Sequence, residues 1–139
     1  MEEKPQILLL THGGWGMALV ESLKMIIGTV DFVHEIPLKP EVTFAEYYQT
    51  VKEYVDGMPD RSLILTDVFG GTTTNVGAKL GKDRGIKVIS GLNAPILIEA
   101  CSEILFTGDF SFETILSGGQ SSVIDVVDQV LKSLEKKEK

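Results

Sequence analysis

Several residue types with distinctive chemistry are scarce in this chain of 139 residues. The one cysteine, Cys101, cannot form an internal disulfide, which indicates a reducing compartment. A nucleic-acid surface needs clustered cations to neutralise phosphates, but the only arginines are Arg61 and Arg84, no basic run occurs, and the net charge is −7. Since the chain has two histidines, His12 and His34, the search for a side chain that titrates near neutral pH is short.

Long apolar runs are also missing. No segment approaches the roughly 20 apolar residues that a membrane span requires, and the acidic residues that follow Met1 do not resemble a signal peptide. Hydrophobic and charged contents of 43% and 24% are ordinary for a globular chain. We therefore expect a soluble, cytoplasmic protein whose residues 1–139 form a single domain.

Short apolar runs alternate with stretches of helical periodicity along most of the chain. Continuous apolar runs are typical of strands covered on both faces, and recurrences at three and four residues are typical of helices. Strands are predicted at residues 7–10, 30–38, 62–67 and 86–90, and helices at 17–27, 44–55, 74–80 and 95–106. The alternation predicts an α/β fold, a doubly wound and mostly parallel four-stranded sheet in the order 2-1-3-4 with helices on both faces.

Local signals define several of the helix ends. Thr43 and Glu46 have the spacing of a capping box, which would open the second helix. Gly81 and Gly85 are interpreted as terminators of the third helix. Beyond residue 110 the pattern weakens: residues 112–116 suggest a helical turn that Gly118 and Gly119 would break.

Two interpretations stay open near the C-terminus. Residues 123–127 suit a fifth strand, whereas the apolar positions from Val126 to Leu134 suit an amphipathic helix. From about residue 135 the chain is rich in lysine and glutamate, and we expect a frayed, flexible tail there.

Two of the predicted strands end in a reactive group followed by glycines: His12 after the first and Asp67 after the third. In the order 2-1-3-4 these strands are neighbours, and ligands bind at such a switch point, outside the carboxyl ends of the strands. A carboxylate that accepts the Nδ1–H of a histidine fixes the tautomer and leaves the Nε2 lone pair available as a nucleophile. The alternative is that His12 is a loop residue and Asp67 a helix cap.

The turn after Asp67 has the composition of an anion site. Gly70 and Gly71 let backbone N–H groups approach a phosphate, and the helix start that follows carries the hydroxyls of Thr72 and its neighbours. It is not a Walker loop, because no Gly-Lys-Ser/Thr follows. On its own the turn also suits an ordinary strand-to-helix connection.

The remaining candidates are weaker. His34 lies in the predicted edge strand and is expected to be structural, and Cys101 lies in an apolar helix and is expected in the core. Trp15, on the glycine loop, could shield the site, contact a partner or simply pack. No cluster has metal-ligand spacing, so neither a metal nor another cofactor is expected.

These motifs together resemble the mannose-class EIIA component of the bacterial phosphoenolpyruvate-dependent sugar phosphotransferase system (PTS). The likeness runs in unbroken order from about residue 7 to residue 99, and it rests on four motifs: Thr11-His12-Gly13, the helix that ends in Ile26-Ile27-Gly28, Leu65-Thr66-Asp67-Val68-Phe69-Gly70-Gly71-Thr72 with Asn75, and Val88-Ile89-Ser90-Gly91-Leu92-Asn93-Ala94-Pro95. The resemblance implies that His12 accepts a phosphoryl group on Nε2, that Asp67 orients its ring, and that Gly71 and Thr72, in the turn with Gly70, hold the phosphate.

The resemblance also implies partners. The phosphocarrier HPr would be the donor and a separate EIIB protein the acceptor, with the membrane EIIC/EIID permease reached indirectly, so that the protein would be cytoplasmic and peripheral to a membrane transporter. The family forms homodimers that exchange a C-terminal strand, for which residues 123–127 are the candidate here. Two departures stand out: Thr72-Thr73 replaces the more usual Ser-Pro, and Gly16 replaces an alanine-like residue, which should loosen the first turn of its helix.

Three alternatives remain at this point. The phosphotransferase subunit of dihydroxyacetone kinase resembles this fold, although the Gly70-Gly71-Thr72 turn favours the sugar branch. Histidine phosphatases also carry a His-Gly pair but need an arginine before the histidine, where this chain has Thr11. The third alternative is a regulatory module whose phosphorylation state controls a partner.

Overall fold

The computed structural model describes residues 3–138, and its centre is a four-stranded parallel sheet. The strands are β1 (Ile7–His12), β2 (Val33–Leu38), β3 (Leu63–Thr66) and β4 (Lys87–Ser90). Their order is β2-β1-β3-β4, with Leu8 of β1 opposite His34 on one side and Ile64 on the other. The predicted fold and strand order are confirmed.

Helices cover both faces of the sheet. They are α1 (Trp15–Ser22), α2 (Lys24–Ile27), α3 (Phe44–Asp56), α4 (Thr72–Arg84), α5 (Ala94–Thr107), α6 (Phe112–Gln120) and α7 (Val126–Glu138). Alternate residues of β1 point to opposite faces: Ile7 and Leu9 pack with α1, α2, α5 and α6, whereas Leu8 and Leu10 pack with α3 and α4. This is why the sequence of β1 is apolar without a break. None of the helices within residues 3–138 is long and apolar enough to span a membrane.

The start of α3 agrees with the prediction from its local sequence, whereas the start of α1 does not. The backbone N–H of Glu46 donates to Thr43 Oγ1 at 3.2 Å and that of Thr43 donates to Glu46 Oε1 at 3.2 Å, so the predicted capping box is confirmed. The first predicted helix begins two residues early, at Trp15, and is interrupted at Leu23, which separates α1 from α2.

The predictions that Gly81 and the pair Gly118-Gly119 end helices were wrong. Gly81 and Gly119 instead lie where a helix packs closely against a neighbouring element. Helix α4 continues through Gly81 to Arg84, and a Cβ at Gly81 would lie 2.4 Å from Val88 Cγ2 of β4. Helix α6 likewise continues through Gly118 and Gly119, and a Cβ at Gly119 would lie 2.4 Å from Ile96 Cγ1 of α5. Both buried glycines let a helix approach its neighbour, and α4 ends instead at Gly85, where φ is 67°.

The C-terminal segment is helical. In the single chain, residues 123–127 are not a strand: Val126 and Val127 begin α7, and residues 123–125 have no regular structure. The charged segment from residue 135, which we predicted to fray, continues this helix as far as Glu138, and Lys139 lies outside the described residues. One side of the segment is apolar and exposed, with Val123, Ile124, Val126, Val127, Val130, Leu131 and Leu134 on the surface.

Candidate functional site

The parallel sheet brings His12 and Asp67 together. Strands β1 and β3 are neighbours in register, with Leu10 opposite Thr66, so that the residues after these positions leave the same edge of the sheet. His12 is the last residue of β1, and Asp67 follows directly after β3. The predicted convergence of these two side chains is therefore present in the structure.

The imidazole of His12 lies against the carboxylate of Asp67. His12 Nδ1 is 2.9 Å from Asp67 Oδ2 and 3.1 Å from Oδ1, and the backbone N–H of His12 donates to Oδ2 at 2.7 Å. The imidazole is 52% exposed, whereas the Asp67 side chain is 1% exposed. One carboxylate thus fixes both the backbone and the ring of the same histidine, and the rest of the ring faces solvent.

Asp67 is surrounded by hydrogen-bond donors. Besides the two donors of His12, its carboxylate accepts the backbone N–H of Val68 at 2.9 Å, the Thr73 hydroxyl at 3.2 Å and the Trp15 indole N–H at 3.3 Å. Burial alone would raise the pKa of Asp67, but the hydrogen bonds from His12 and Val68 and the proximity of the imidazole lower its pKa overall.

This charge state fixes the tautomer of the neutral histidine. An ionised carboxylate only accepts hydrogen bonds, so the Nδ1 of His12 that faces it must carry the proton. The lone pair of neutral His12 is then on Nε2, away from Asp67. The geometry therefore provides an exposed nucleophilic nitrogen whose orientation is set from the buried side.

The predicted anion turn lies beside the imidazole. Gly70 and Gly71 have φ values of 96° and 81°, and α4 begins immediately afterwards at Thr72. No side chain caps this helix start, so its first N–H groups are available to an acceptor, and the helix dipole favours a negative one. The hydroxyl of Thr74 holds the turn, because it accepts from the Gly70 N–H at 3.1 Å and donates to the Val68 carbonyl at 2.7 Å.

A cavity of about 280 Å³ joins the imidazole to this helix start. Its wall includes His12, Thr72 and Lys39, whose ammonium donates to the Gly13 carbonyl at 3.1 Å. The remaining lining residues are Gly13, Leu38, Pro40 and Val42. The space can therefore hold a small anion between a histidine, a helix start and a lysine.

Sequence reasoning missed three side chains around His12. Thr73 and Lys39 have the contacts just described, and Glu35 of β2 accepts hydrogen bonds from the first turn of α1. Thr73 could have been found in the same turn as Thr72, but nothing in the sequence places β2 residues near His12 until the order of the strands is used. For Trp15, which had three interpretations, the structure shows a half-exposed indole bonded to Asp67.

The other candidates lie elsewhere. His34 is on the edge strand β2, with its ring centroid 5.7 Å from that of Tyr54. Cys101 is fully buried in the core, as predicted, and burial raises the pKa of its thiol to about 12. Within residues 3–138, no group of three histidine, cysteine or acidic side chains is placed to hold a metal ion.

Comparisons with known proteins agree with this architecture. The family model EIIA-man, described as "PTS system fructose IIA component", matches residues 6–110. The sorbose-specific PTS EIIA component of Lacticaseibacillus casei is 30% identical over 96 residues, which are 68% of this chain and 70% of that protein. The fructose-specific PTS EIIA component of Bacillus subtilis (strain 168) is 30% identical over 101 residues, or 69% of this chain and 68% of that protein.

A solved structure shares the fold. The PTS component EIIA from Streptococcus agalactiae superposes with a TM-score of 0.78 at 24% identity, covering 88% of this chain and 98% of that chain. At this identity the likeness concerns the fold alone, whereas the family match covers most of the sequence. The chain belongs to the EIIA-man family and is a mannose-class EIIA component of the sugar phosphotransferase system.

Proposed function

We propose that His12 is the phosphoryl carrier of this EIIA component, which accepts the group from phospho-HPr and passes it to a separate EIIB protein. The observation that carries this proposal is the hydrogen bonding of Nδ1 to Asp67, which directs the Nε2 lone pair outwards. The Nε2 lone pair would attack phosphorus while the donor's N–P bond breaks and its electron pair returns to the donor imidazole. The reverse geometry serves the second transfer, in which EIIB supplies the attacking nucleophile.

Near-equal N–P bond energies in donor and product mean that the transfer needs no ATP. Catalysis then consists of positioning and of stabilising the charge on the transferred group. We assign the positioning to Asp67. The phosphoryl oxygens would be held by the backbone at Gly70, Gly71 and Thr72 and by the Thr72 hydroxyl, with Lys39 as the nearby cation.

Exposed apolar side chains beside the site suit protein partners better than a free sugar phosphate. Val68 and Phe69 are exposed in the loop after Asp67, and Trp15, which donates to the Asp67 carboxylate, is half-exposed. HPr and EIIB would dock here in turn, and the EIIC/EIID permease would be reached through EIIB. Aromatic and aliphatic groups at such a surface are typical contacts between proteins.

A homodimer is part of the proposal. The apolar side of α7 is exposed in the single chain, and a second copy would cover it. Asp128 lies in the first turn of α7 and Lys136 and Lys137 lie in its last, so two antiparallel copies would bring opposite charges together across a two-fold axis. Exchange of residues 123–127 between subunits stays a prediction.

The test is reconstitution with phosphoenolpyruvate, enzyme I and HPr, followed by mass spectrometry. We expect one acid-labile phosphate on His12, its discharge on addition of an EIIB acceptor, and no labelling of His12→Ala. Asp67→Asn should fold and become labelled slowly, because it weakens the orientation of the ring, while His34→Ala serves as the histidine-matched control and should be labelled normally.

The alternatives give different results. Labelling of His12→Ala would refute the assignment of the carrier. Stable labelling that EIIB cannot discharge would favour a regulatory phospho-acceptor, and discharge onto a dihydroxyacetone kinase subunit instead of EIIB would favour that system.

A further inference from the structure

Glu35 is a half-buried carboxylate on the edge strand β2 that has no part in the transfer steps proposed for His12. Its Oε2 accepts the backbone N–H of Gly16 at 2.7 Å, and its Oε1 accepts that of Met17 at 3.1 Å. The hydroxyl of Thr11 also donates to Oε2. Thr11 directly precedes His12, so one carboxylate connects the strand before the imidazole to the helix after it.

Helix α1 has no capping side chain of its own. Its N-cap residue, Gly14, has a φ of 96° and no side-chain acceptor, whereas the first N–H groups of a helix need acceptors from outside. A carboxylate at this end is also favoured by the helix dipole. Glu35 supplies from a neighbouring strand the cap that α1 lacks.

The start of α1 is coupled to the carrier through Trp15. This first residue of α1 donates its indole N–H to Asp67 Oδ2 at 3.3 Å, and Asp67 holds the imidazole of His12. A displacement of the helix start would therefore reach His12 by two routes. One is the short loop at Gly13 and Gly14, and the other is the hydrogen bond from Trp15 to Asp67.

Gly16 fits Glu35 sterically. A Cβ at Gly16 would lie 2.5 Å from Glu35 Oε2 and 2.9 Å from Leu9 Cδ1, distances that require one of the groups to move. The departure from an alanine-like residue at Gly16 therefore has a physical reason: the missing methyl group makes room for the carboxylate. From the sequence we expected Gly16 to loosen the first turn; in the structure, Glu35 accepts the backbone N–H groups of Gly16 and Met17 in that turn.

We propose that Glu35 is a positioning residue for His12 and that Gly16 is the residue that admits it to the first turn of α1. The proposal rests on the carrier role proposed for His12. The two residues act as one unit: the carboxylate caps the helix only where position 16 has no side chain, and the glycine is tolerated at the helix start because the carboxylate caps it.

A double-mutant cycle tests this unit. The variants are Glu35→Gln, Gly16→Ala and the double substitution, with Gly118→Ala and Glu53→Gln as controls. Gly118 is an exposed helical glycine with no atom within 4 Å of its would-be Cβ, and Glu53 is an exposed glutamate on α3 that bonds to Gln49. The readouts are the turnover of His12 phosphorylation at saturating phospho-HPr, the half-saturating HPr concentration, and hydrogen exchange of the Gly16 and Met17 amides.

We expect Glu35→Gln and Gly16→Ala each to lower turnover about tenfold, which is less than the roughly 100-fold that a misplacement of about 1 Å can cost. The half-saturating HPr concentration should change less than turnover does, since Val68 and Phe69 of the proposed docking surface lie outside α1. Amide exchange at positions 16 and 17 should accelerate, and the double variant should be no slower than the slower single variant, because both remove the same contact. Both controls should match the wild type in turnover.

Two outcomes would overturn the proposal while leaving the carrier role of His12 intact: a Glu35→Gln protein with wild-type turnover, or single effects that multiply in the double variant. If Gly16→Ala fails to fold, turnover and amide exchange in Glu35→Gln decide the matter. A wild-type protein that takes no phosphate at all would instead refute the carrier role, and the exchange data would then show separately whether Glu35 caps α1.

Discussion

The substitution Asp67→Asn tests the buried half of the site most directly. It keeps the shape of the side chain but turns one oxygen, an acceptor, into a donor. An amide nitrogen at the Oδ2 position would face N–H groups of His12 and Trp15, so the less costly choice is the Oδ1 position. There it faces the Val68 N–H and, at 3.1 Å, the His12 Nδ1–H, which keeps its shorter bond to Oδ2 at 2.9 Å, whereas the Thr73 hydroxyl can rotate to accept.

The expected loss of stability follows from these contacts. One buried hydrogen bond to a charged group, from Val68, is lost, and the bonds from His12 lose their charge assistance, which together costs about 3 kcal/mol. With an unfolding entropy of about 2.1 cal/mol/K per residue, a chain of 139 residues loses roughly 10 °C in Tm. Differential scanning calorimetry at pH 7 measures this, and Asp83→Asn, which removes a charge from an exposed position on α4, is the matched control.

The pH dependence supplies a second check on the same substitution. The pKa of Asp67 is lower in the folded protein than in the unfolded chain. Its contribution is therefore complete above the unfolded pKa of about 3.9 and is lost as the pH falls through the folded value. The difference in Tm between wild type and Asp67→Asn should shrink below about pH 4. A difference under 2 °C at pH 7, or one that stays constant on acidification, would refute the reasoning.

Three further expectations concern other parts of the molecule. Lys39→Gln should lower the rate of His12 phosphorylation about fivefold at low ionic strength and less at high salt, since an exposed charge is screened; equal rates at low salt would contradict this. Leu131→Glu should convert the proposed dimer to monomers in sedimentation velocity, because it places a carboxylate on the apolar side of α7, and a sedimentation coefficient equal to that of the wild type would exclude that surface. The Cys101 thiol, with its pKa raised to about 12, should resist alkylation at pH 8 until the protein unfolds, and rapid labelling of the native protein would show that this part of the core opens.

The sheet and the His12–Asp67 pair could be predicted from the sequence because the relevant signals are local. Strands β1 and β3 are short apolar runs, and each ends at a polar residue, with glycines directly after His12 and three residues after Asp67. The connections between strands are short and right-handed crossovers dominate, so few strand orders are possible. Once β1 and β3 are neighbours, the ends of both strands must meet at one edge.

The parts that could not be predicted depend on packing between distant segments. Gly81 and Gly119 have the appearance of helix ends in the sequence, but each makes room for a residue of another element, Val88 or Ile96. The contacts of Glu35 could not be predicted for the same reason. The alternation of polar and apolar residues on a half-buried edge strand does not show whether a glutamate side chain is solvated or bonds to a helix start. Only the register that places Leu9 opposite Glu35 brings this carboxylate near Gly16.

The exposure of His12 explains why the carboxylate behind it has to be so well held. In its proposed role, a carrier that meets two different proteins in turn cannot enclose its imidazole, and an exposed side chain gains little order from packing. The order must therefore come from the buried side. Asp67 accepts hydrogen bonds from both the backbone N–H and the ring Nδ1 of His12. The backbone bond holds the carboxylate next to the ring, so rotation of the ring would break its bond to Asp67. Three further donors hold Asp67 itself in place, on the side of the site that the proposed partners, HPr and EIIB, do not need to reach.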